Sequence, residues 1–297
     1  MAVSTRLIKR RIKSITNTRK ITKAMELVAA SKMKKAVQMT LSSRAYSETA
    51  KELVDALSGR VSAGSHPLLM HSEKADVDAL RSLVIVCSSD RGLCGGFNAQ
   101  ALKKTLEFIK ERTKDSISFV TVGKRAERAM KKTGKPIIAS FEAISNAPSF
   151  AGAKPVGTLA IQSFLNKEYD RVFIVYMDFK SAITQVPVVE QILPIIHEES
   201  LSSHQDHGEE SDSDLVFEPD ASTILNHLLP KLVETRIYQA LLESSASEHS
   251  SRMMAMRSAT DNATTMMDSL TLSYNQARQA SITQEISEIS AGKAAIE

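Results

Sequence analysis

Residues 246–277 read ASEHSSRMMAMRSATDNATTMMDSLTLSYNQA, and the spacing of their apolar side chains decides the fold. Taken from Ala246 in alternating steps of three and four, the row gives His249, Met253, Met256, Thr260, Ala263, Met267, Leu270, Tyr274 and Ala277, a heptad seam. So narrow a stripe is buried only by a second helix lying beside it. From Lys231 to Ala291 neither glycine nor proline interrupts the chain. The spacing predicts a helical rod of about 90 Å at about 1.5 Å per residue, longer than an ordinary domain core, so part of it is expected to project.

The partner helix is expected at the other end of the chain. Residues 1–58 also lack glycine and proline. One heptad frame there collects Ile8, Ile12, Ile15, Ala29, Met33, Ala36, Ala50, Val54 and Leu57, but also Arg19, Thr22, Glu26, Thr40, Ser43 and Ser47. Ile21, Met25 and Val28 occupy a neighbouring frame, which predicts a shift of the apolar stripe like that at a coiled-coil stutter. Two long seamed helices are the simplest mutual partners, and an antiparallel pair is expected. Many seam positions are Ala, Ser or Thr and contribute little of the roughly 1.5–3 kcal/mol of a large apolar side chain. A shaft built this way is marginal alone, and its far end is expected to be steadied by a surrounding partner.

Between the arms the periodicity changes. Leu83–Cys87, Ile117–Val122, Pro136–Phe141 and Arg171–Phe179 read as strands, and Ile183–Ile196, with Pro187 and Pro194, suits a sheet edge. Asn98–Arg112, Lys124–Lys132 and Gly152–Lys167 read as helices between them. The alternation predicts a Rossmann-like α/β domain over 80–197, with helical arms at 1–58 and 219–297. Residues 198–218, rich in Ser, Asp, Glu and His, read as a solvated acidic loop. Pro219 and Asp220 are expected to start the last helix and Pro230 to kink it early.

Composition bounds the function. The hydrophobic content of 42% supports a real core, and 5% aromatic residues with no Trp fit slender helices. The formal charge of +4 is unevenly spread: residues 1–60 hold fourteen Lys and Arg against four acidic residues. Residues 198–220 hold nine acidic residues and no Lys or Arg, so charged partners are expected at both places. Cys87 and Cys94 lack CxxC spacing, which points to a reducing compartment without a disulfide framework. No run is long and apolar enough to span a bilayer. The basic N-terminus also has the composition of a transit peptide, but cleavage there would remove helix that the seam requires.

Three local patterns carry candidate chemistry. Asp90-Arg-Gly-Leu-Cys-Gly-Gly96 lies between a strand and a helix, where a phosphate loop would sit, but its spacing fits neither GxGxxG nor GxxxxGK[ST] and favours a tight turn. His204 and His207, with Asp206 and Glu209, fit a polar loop better than a metal site. Lys20, Lys23, Lys32, Lys34 and Lys35 surround Met25 and suit a solvated face, an acidic protein partner or nucleic-acid phosphates. Against nucleic acid, no interleaved aromatic precedes Tyr46 and no base-reading module is present; a basic coiled-coil protein that binds nucleic acid stands as the alternative reading.

Ile21-Thr-Lys-Ala-Met-Glu-Leu-Val-Ala-Ala-Ser-Lys-Met33, Asp90–Gly96 and Ala277-Arg-Gln-Ala-Ser-Ile-Thr-Gln-Glu-Ile286 together resemble, in order and over nearly the whole chain, the gamma subunits of F-type ATP synthases. The chain starts within a few residues of the first motif and shows no cysteine-bearing regulatory insert, so the resemblance is to bacterial members. It implies a non-catalytic, cofactor-free rotor shaft at the cytoplasmic face of the bacterial plasma membrane, driven by a proton-turned c ring. Its partners would be the alpha and beta subunits of the catalytic ring, the epsilon subunit and the c ring. The family's ring contacts would fall on Met25, Arg252, Gln279, Thr283 and Glu285, with Lys20 and Lys23 facing an acidic loop of the catalytic subunits. Asp90, Arg91, Phe217, Glu218 and Asp220 would meet epsilon and the c ring.

Overall fold

The computed structural model describes residues 5–58, 66–69, 80–195 and 221–294. The acidic segment 198–218, with Phe217, Glu218, Asp220 and the His204/His207 group, lies outside the described residues. Helix α1 covers Thr5–Ser58 and helix α5 covers Ala221–Ala294, with Pro230 inside α5. The chain forms two compact units, Met1–Ala30 with Arg252–Glu297, and Ser31–Ser251.

The larger unit is built on five strands. β1 (Arg81–Cys87), β2 (Ser116–Val122), β3 (Ile137–Phe141) and β4 (Arg171–Phe179) alternate with α2 (Phe97–Glu111), α3 (Lys124–Met130) and α4 (Phe150–Leu165), and β5 (Gln185–Leu193) follows. The order across the sheet is β3-β2-β1-β4-β5. The first four strands are parallel, and β5 runs antiparallel along β4 at the edge, where Pro187 is tolerated. Crossovers through helices require the parallel pairing, whereas the short link from β4 to β5 permits only a hairpin.

Both faces of the sheet are covered, which explains the unbroken apolar runs of β1 and β4. Leu83, Ile85, Ile174 and Tyr176 point to α4 and to Leu229, Val233 and Ile237 of α5. Val84, Val86, Phe119 and Phe173 point the other way, to Phe108 of α2 and Ala126 and Met130 of α3. Two glycines fix the geometry. A Cβ on Gly157 of α4 would lie 3.1 Å from Glu234 Cγ and 3.3 Å from its Cα, a tight fit that the close α4–α5 crossing meets with glycine. Gly123 has φ +91°, and a Cβ would lie 2.2 Å from the Ser88 carbonyl oxygen.

Within this unit, residues 240–250 of α5 are buried on every side although they include Glu243, Ser244, Ser245, Ser247, Glu248, His249 and Ser250. Small hydroxyl residues let neighbours approach and satisfy their carbonyls: Ser247 donates to Met177 O at 3.1 Å and Ser250 to Ala182 O at 2.6 Å. Arg44 of α1 reaches Glu243 at 3.3 Å, and Gln239 donates to the same Glu243 oxygen at 2.9 Å. Burial pushes the Glu243 carboxyl above its ordinary range, against the opposing hydrogen bond from Gln239.

Candidate functional site

The smaller unit pairs the first turns of α1 with the last turns of α5. Ile8, Thr22 and Ala29 are buried, and Ile12, Ile15, Arg19 and Glu26 of the same heptad frame are half-buried. Opposite them Met256 and Ala263 are buried, with Met253, Thr260, Met267, Leu270, Tyr274 and Ala277 half-buried. From Met253 to Ala277 the seam predicted on α5 is therefore the seam observed, whereas Ala246 and His249 lie in the stretch buried on every side. Thr16 Oγ1 lies 3.6 Å from Met267 Sδ, and the Thr22 and Thr260 hydroxyls meet at 2.8 Å. Advancing along α1 from Thr16 to Thr22 moves the partner back along α5, so the pair is antiparallel.

The expected stutter is absent, which corrects the reading of α1. Ile21 and Val28 are 60% and 57% exposed, while Arg19, Thr22 and Glu26 hold the strict frame. The polar residues are accommodated because Thr22 finds Thr260, because Glu26 is paired with Lys23 at 3.0 Å, and because the long stem of half-buried Arg19 can cover the seam. The consequence is functional. Ile21 and Val28 share one exposed stripe on the outer side of the pair, and Leu27 is exposed about a third of a turn away, beside Lys20. Sequence reasoning placed two of these residues in the seam; an uninterrupted heptad frame carrying polar residues was the signal that they face out.

A second unpartnered surface lies at the end of α5. Ala277 is its last half-buried residue, and 278–293 are exposed. Ile282, Ile286 and Ile289 share one stripe at i, i+4, i+7 spacing, and Ile289 is 74% exposed. Gln279 and Thr283 lie along one flank of that stripe, and Glu285 lies on the other. Ser281 donates to Glu285 at 3.4 Å and Gln284 to Glu288 at 2.9 Å, so the polar sides are stitched within the helix.

The charged candidates separate on inspection. Lys23 is held by Glu26 at 3.0 Å, and Lys32 donates to Asn146 Oδ1 at 3.0 Å. Lys20 is exposed, whereas Met25 and Arg252 are half-buried. In the β1–α2 turn, Asp90 accepts from Lys124 N, Ala143 N and Ser145 Oγ, each at 3.1 Å. Its carboxylate thus caps α3 and ties down the loop before α4. The neighbouring Arg91 is exposed.

The rest of that turn is occupied by its own polar groups. Ser88 Oγ accepts from Ala126 N at 2.7 Å, and Asn98 Nδ2 donates to Ser89 Oγ at 2.8 Å. The polar side chains of Ser88, Ser89 and Asn98 are thereby engaged inside the domain. Among the described residues no cluster of His, Cys, Asp and Glu could hold a metal, and no helix is long and apolar enough to cross a membrane.

Comparison with known proteins places these surfaces in a family. A family profile described as ATP synthase matches residues 4–296. The ATP synthase gamma chain of Pelotomaculum thermopropionicum is 41% identical over 294 residues, covering 99% of both chains. That of Brevibacillus brevis is 40% identical over 98% of both. Among solved structures, the central stalk and c-ring of the Tetrahymena thermophila mitochondrial ATP synthase gives a TM-score of 0.59 at 28% identity, covering 80% of this chain and 99% of that chain. The Euglena gracilis mitochondrial enzyme shares the fold, with a TM-score of 0.64 at 20% identity over 99% of this chain and 94% of that one. With its antiparallel helix pair and α/β unit, the chain belongs to the ATP synthase gamma chain family.

Proposed function

We propose that this chain is the central rotor shaft of a bacterial F-type ATP synthase, a non-catalytic subunit that couples rotation of a proton-driven c ring to conformational cycling of the alpha and beta subunits. The observation that carries the reading is the aliphatic surface left uncovered on the helix pair: Ile21, Leu27 and Val28 on α1, and Ile282, Ile286 and Ile289 on α5. Apolar residues left in solvent outside the seam of a helix pair fit a sleeve made of other chains. Residues 1–58 and 219–297 supply the axle in this reading, 80–197 the α/β domain and 198–218 an acidic loop.

Met25, Lys20, Lys23, Arg252, Gln279, Thr283 and Glu285 are proposed contacts to the catalytic ring. The exposure of Lys20, Gln279, Thr283 and Glu285 supports this, as do the singly charged or small contacts they offer, which break readily as a shaft turns. For epsilon and the c ring, exposed Arg91 is the better candidate of its turn, because the Asp90 carboxylate is engaged internally. Phe217, Glu218 and Asp220 complete that proposal. Lys23 and Lys32 are bound to Glu26 and Asn146, which breaks the row of cations that nucleic acid would need. The assembly would sit at the cytoplasmic face of the plasma membrane, held there through its partners.

Reconstitution tests this directly. Alpha and beta subunits mixed with the chain are expected to co-purify with it and hydrolyse ATP at a rate that depends on its presence. Failure to co-purify, together with saturable duplex-DNA binding at physiological salt, would contradict the proposal.

A further inference from the structure

Covalent paths between the two units run only through α1 and α5, at Ala30–Ser31 and Ser251–Arg252. The larger unit takes hold of both helices just inside those borders. At about 100° per residue, Ser247, Ser250 and Ser251 lie within about 100° of one another around α5, and His249 points to the opposite side. The serine side is met by β4 and the turn that follows it. Ser247 donates to Met177 O at 3.1 Å, Ser250 to Ala182 O at 2.6 Å and Ser251 to Gln185 Oε1 at 3.1 Å. The other side is met by the loop between β3 and α4, where His249 Nε2 donates to Asn146 O at 3.2 Å. Asn146 Oδ1 in turn accepts from Lys32 Nζ of α1 at 3.0 Å, so one residue touches both helices.

Both jaws are stiffened by bonds of their own. In the β4–β5 turn Ser181 Oγ accepts from Ile183 N and Thr184 N, and Gln185 Nε2 donates to Ser181 O and Ala182 O. The loop before α4 is fixed to Asp90 through Ala143 N and Ser145 Oγ. Ala143 keeps φ +65°, a left-handed backbone that an alanine holds only where its surroundings fix it.

We propose that these two loops form a torsional clasp, which stops α5 from rolling about its own axis relative to the α/β unit and so carries load between that unit and the shaft. The inference rests on the shaft reading, because only a rotor bears torque. The apolar packing of Leu229, Val233 and Ile237 earlier in α5 is non-directional and tolerates a small roll. Hydrogen bonds do not. A donor about 5 Å from the helix axis moves about 2 Å in a roll of roughly 25°, which stretches a contact of about 3 Å beyond hydrogen-bond range. A grip on one side alone follows such a roll by pivoting. Jaws on opposite sides cannot, since the roll carries their donors in opposite directions.

Halted complexes supply the test. With alpha and beta subunits fixed to a surface and a bead on Lys103→Cys of α2, turning is stopped by withholding ATP and the variance of the bead's angle is recorded. His249→Leu with Ser250→Ala is expected to at least double that variance, while unloaded ATP hydrolysis stays within twofold of the parent. His249→Gln, which keeps a donor for Asn146 O, is expected to hold the parent's variance. A parent-like variance in assembled complexes of the double variant would overturn the proposal, as would a lowered melting midpoint with the variance unchanged. Where the double variant does not assemble, Ser250→Ala alone carries the test, and an unchanged variance there overturns the proposal equally. A parent bead that never turns counts against the shaft, whereas a turning parent with variants of unchanged variance counts against the clasp.

Discussion

Thr22 and Thr260 join hydroxyls across the helix seam at 2.8 Å, a polar layer between the buried Ala29 and Ala263 positions of their respective helices. Thr22 also donates to Arg19 O at 3.1 Å. Replacing one threonine leaves the other facing an apolar group, whereas replacing both leaves a layer of the same shape without polar atoms. Thr22→Val and Thr260→Val are each expected to cost about 1 kcal/mol, and the double variant to be neutral or more stable. Urea unfolding of the four chains measures the cycle, and simple additivity would show that the hydroxyls do not interact.

Gly123 is expected to be intolerant of any side chain. Its φ of +91° and the 2.2 Å approach of the Ser88 carbonyl oxygen leave no room for a Cβ. Moving Ser88 would also disturb its Oγ, which accepts from Ala126 N at 2.7 Å and starts α3. Gly123→Ala should therefore cost about 3 kcal/mol or more. Thermal unfolding followed by circular dichroism reads the loss; a midpoint equal to that of the parent would contradict the geometry.

Glu243 gives the stability a pH dependence. Burial raises its carboxyl above the unfolded value, and the facing Asp178 adds to the rise while Gln239 and Arg44 oppose it. A raised carboxyl binds its proton more tightly in the folded state, so its favourable contribution is complete below the unfolded pKa and is lost as pH rises through the folded pKa. Above the unfolded pKa the shift therefore opposes folding. Glu243→Gln keeps an acceptor for Gln239 and is expected to be more stable than the parent at neutral pH, the gap closing as the pH falls towards the unfolded carboxyl pKa. A gap that widens on acidification would reverse the assigned sign.

The end of α5 should behave differently alone and in the complex. Residues 278–293 are exposed, and no second helix covers Ile282, Ile286 and Ile289 among the described residues. In the isolated chain their amides are expected to exchange at least a hundredfold faster than those of β1 and β4, and to slow on assembly. Gln279→Leu and Thr283→Val are expected to lower ATP turnover of the complex several-fold while leaving the isolated chain folded, as checked by circular dichroism. Unchanged turnover would remove both residues from the ring contact.

Much of this was legible because period carries so much information in long helices and buried strands. The α5 seam from Met253 to Ala277 and the strand Arg171–Phe179 were readable from spacing alone. The α1 register was misread, because apolar Ile21 and Val28 attract a seam assignment although the uninterrupted frame carries the polar Arg19, Thr22 and Glu26; burial and the cross-seam threonine pair show that the polar set is inside. Asp90 shows the other limit. Its three partners, Lys124, Ala143 and Ser145, are far from it in the chain, and no local pattern announces a carboxylate that caps a distant helix.

Rotation is the most direct measurement. With alpha and beta subunits fixed to a surface and a bead attached through a thiol introduced at exposed Lys103, ATP is expected to drive sustained turning in one direction. ATP hydrolysis by the same complexes with the bead stationary or merely fluctuating would contradict the claim that this chain is a turning axle.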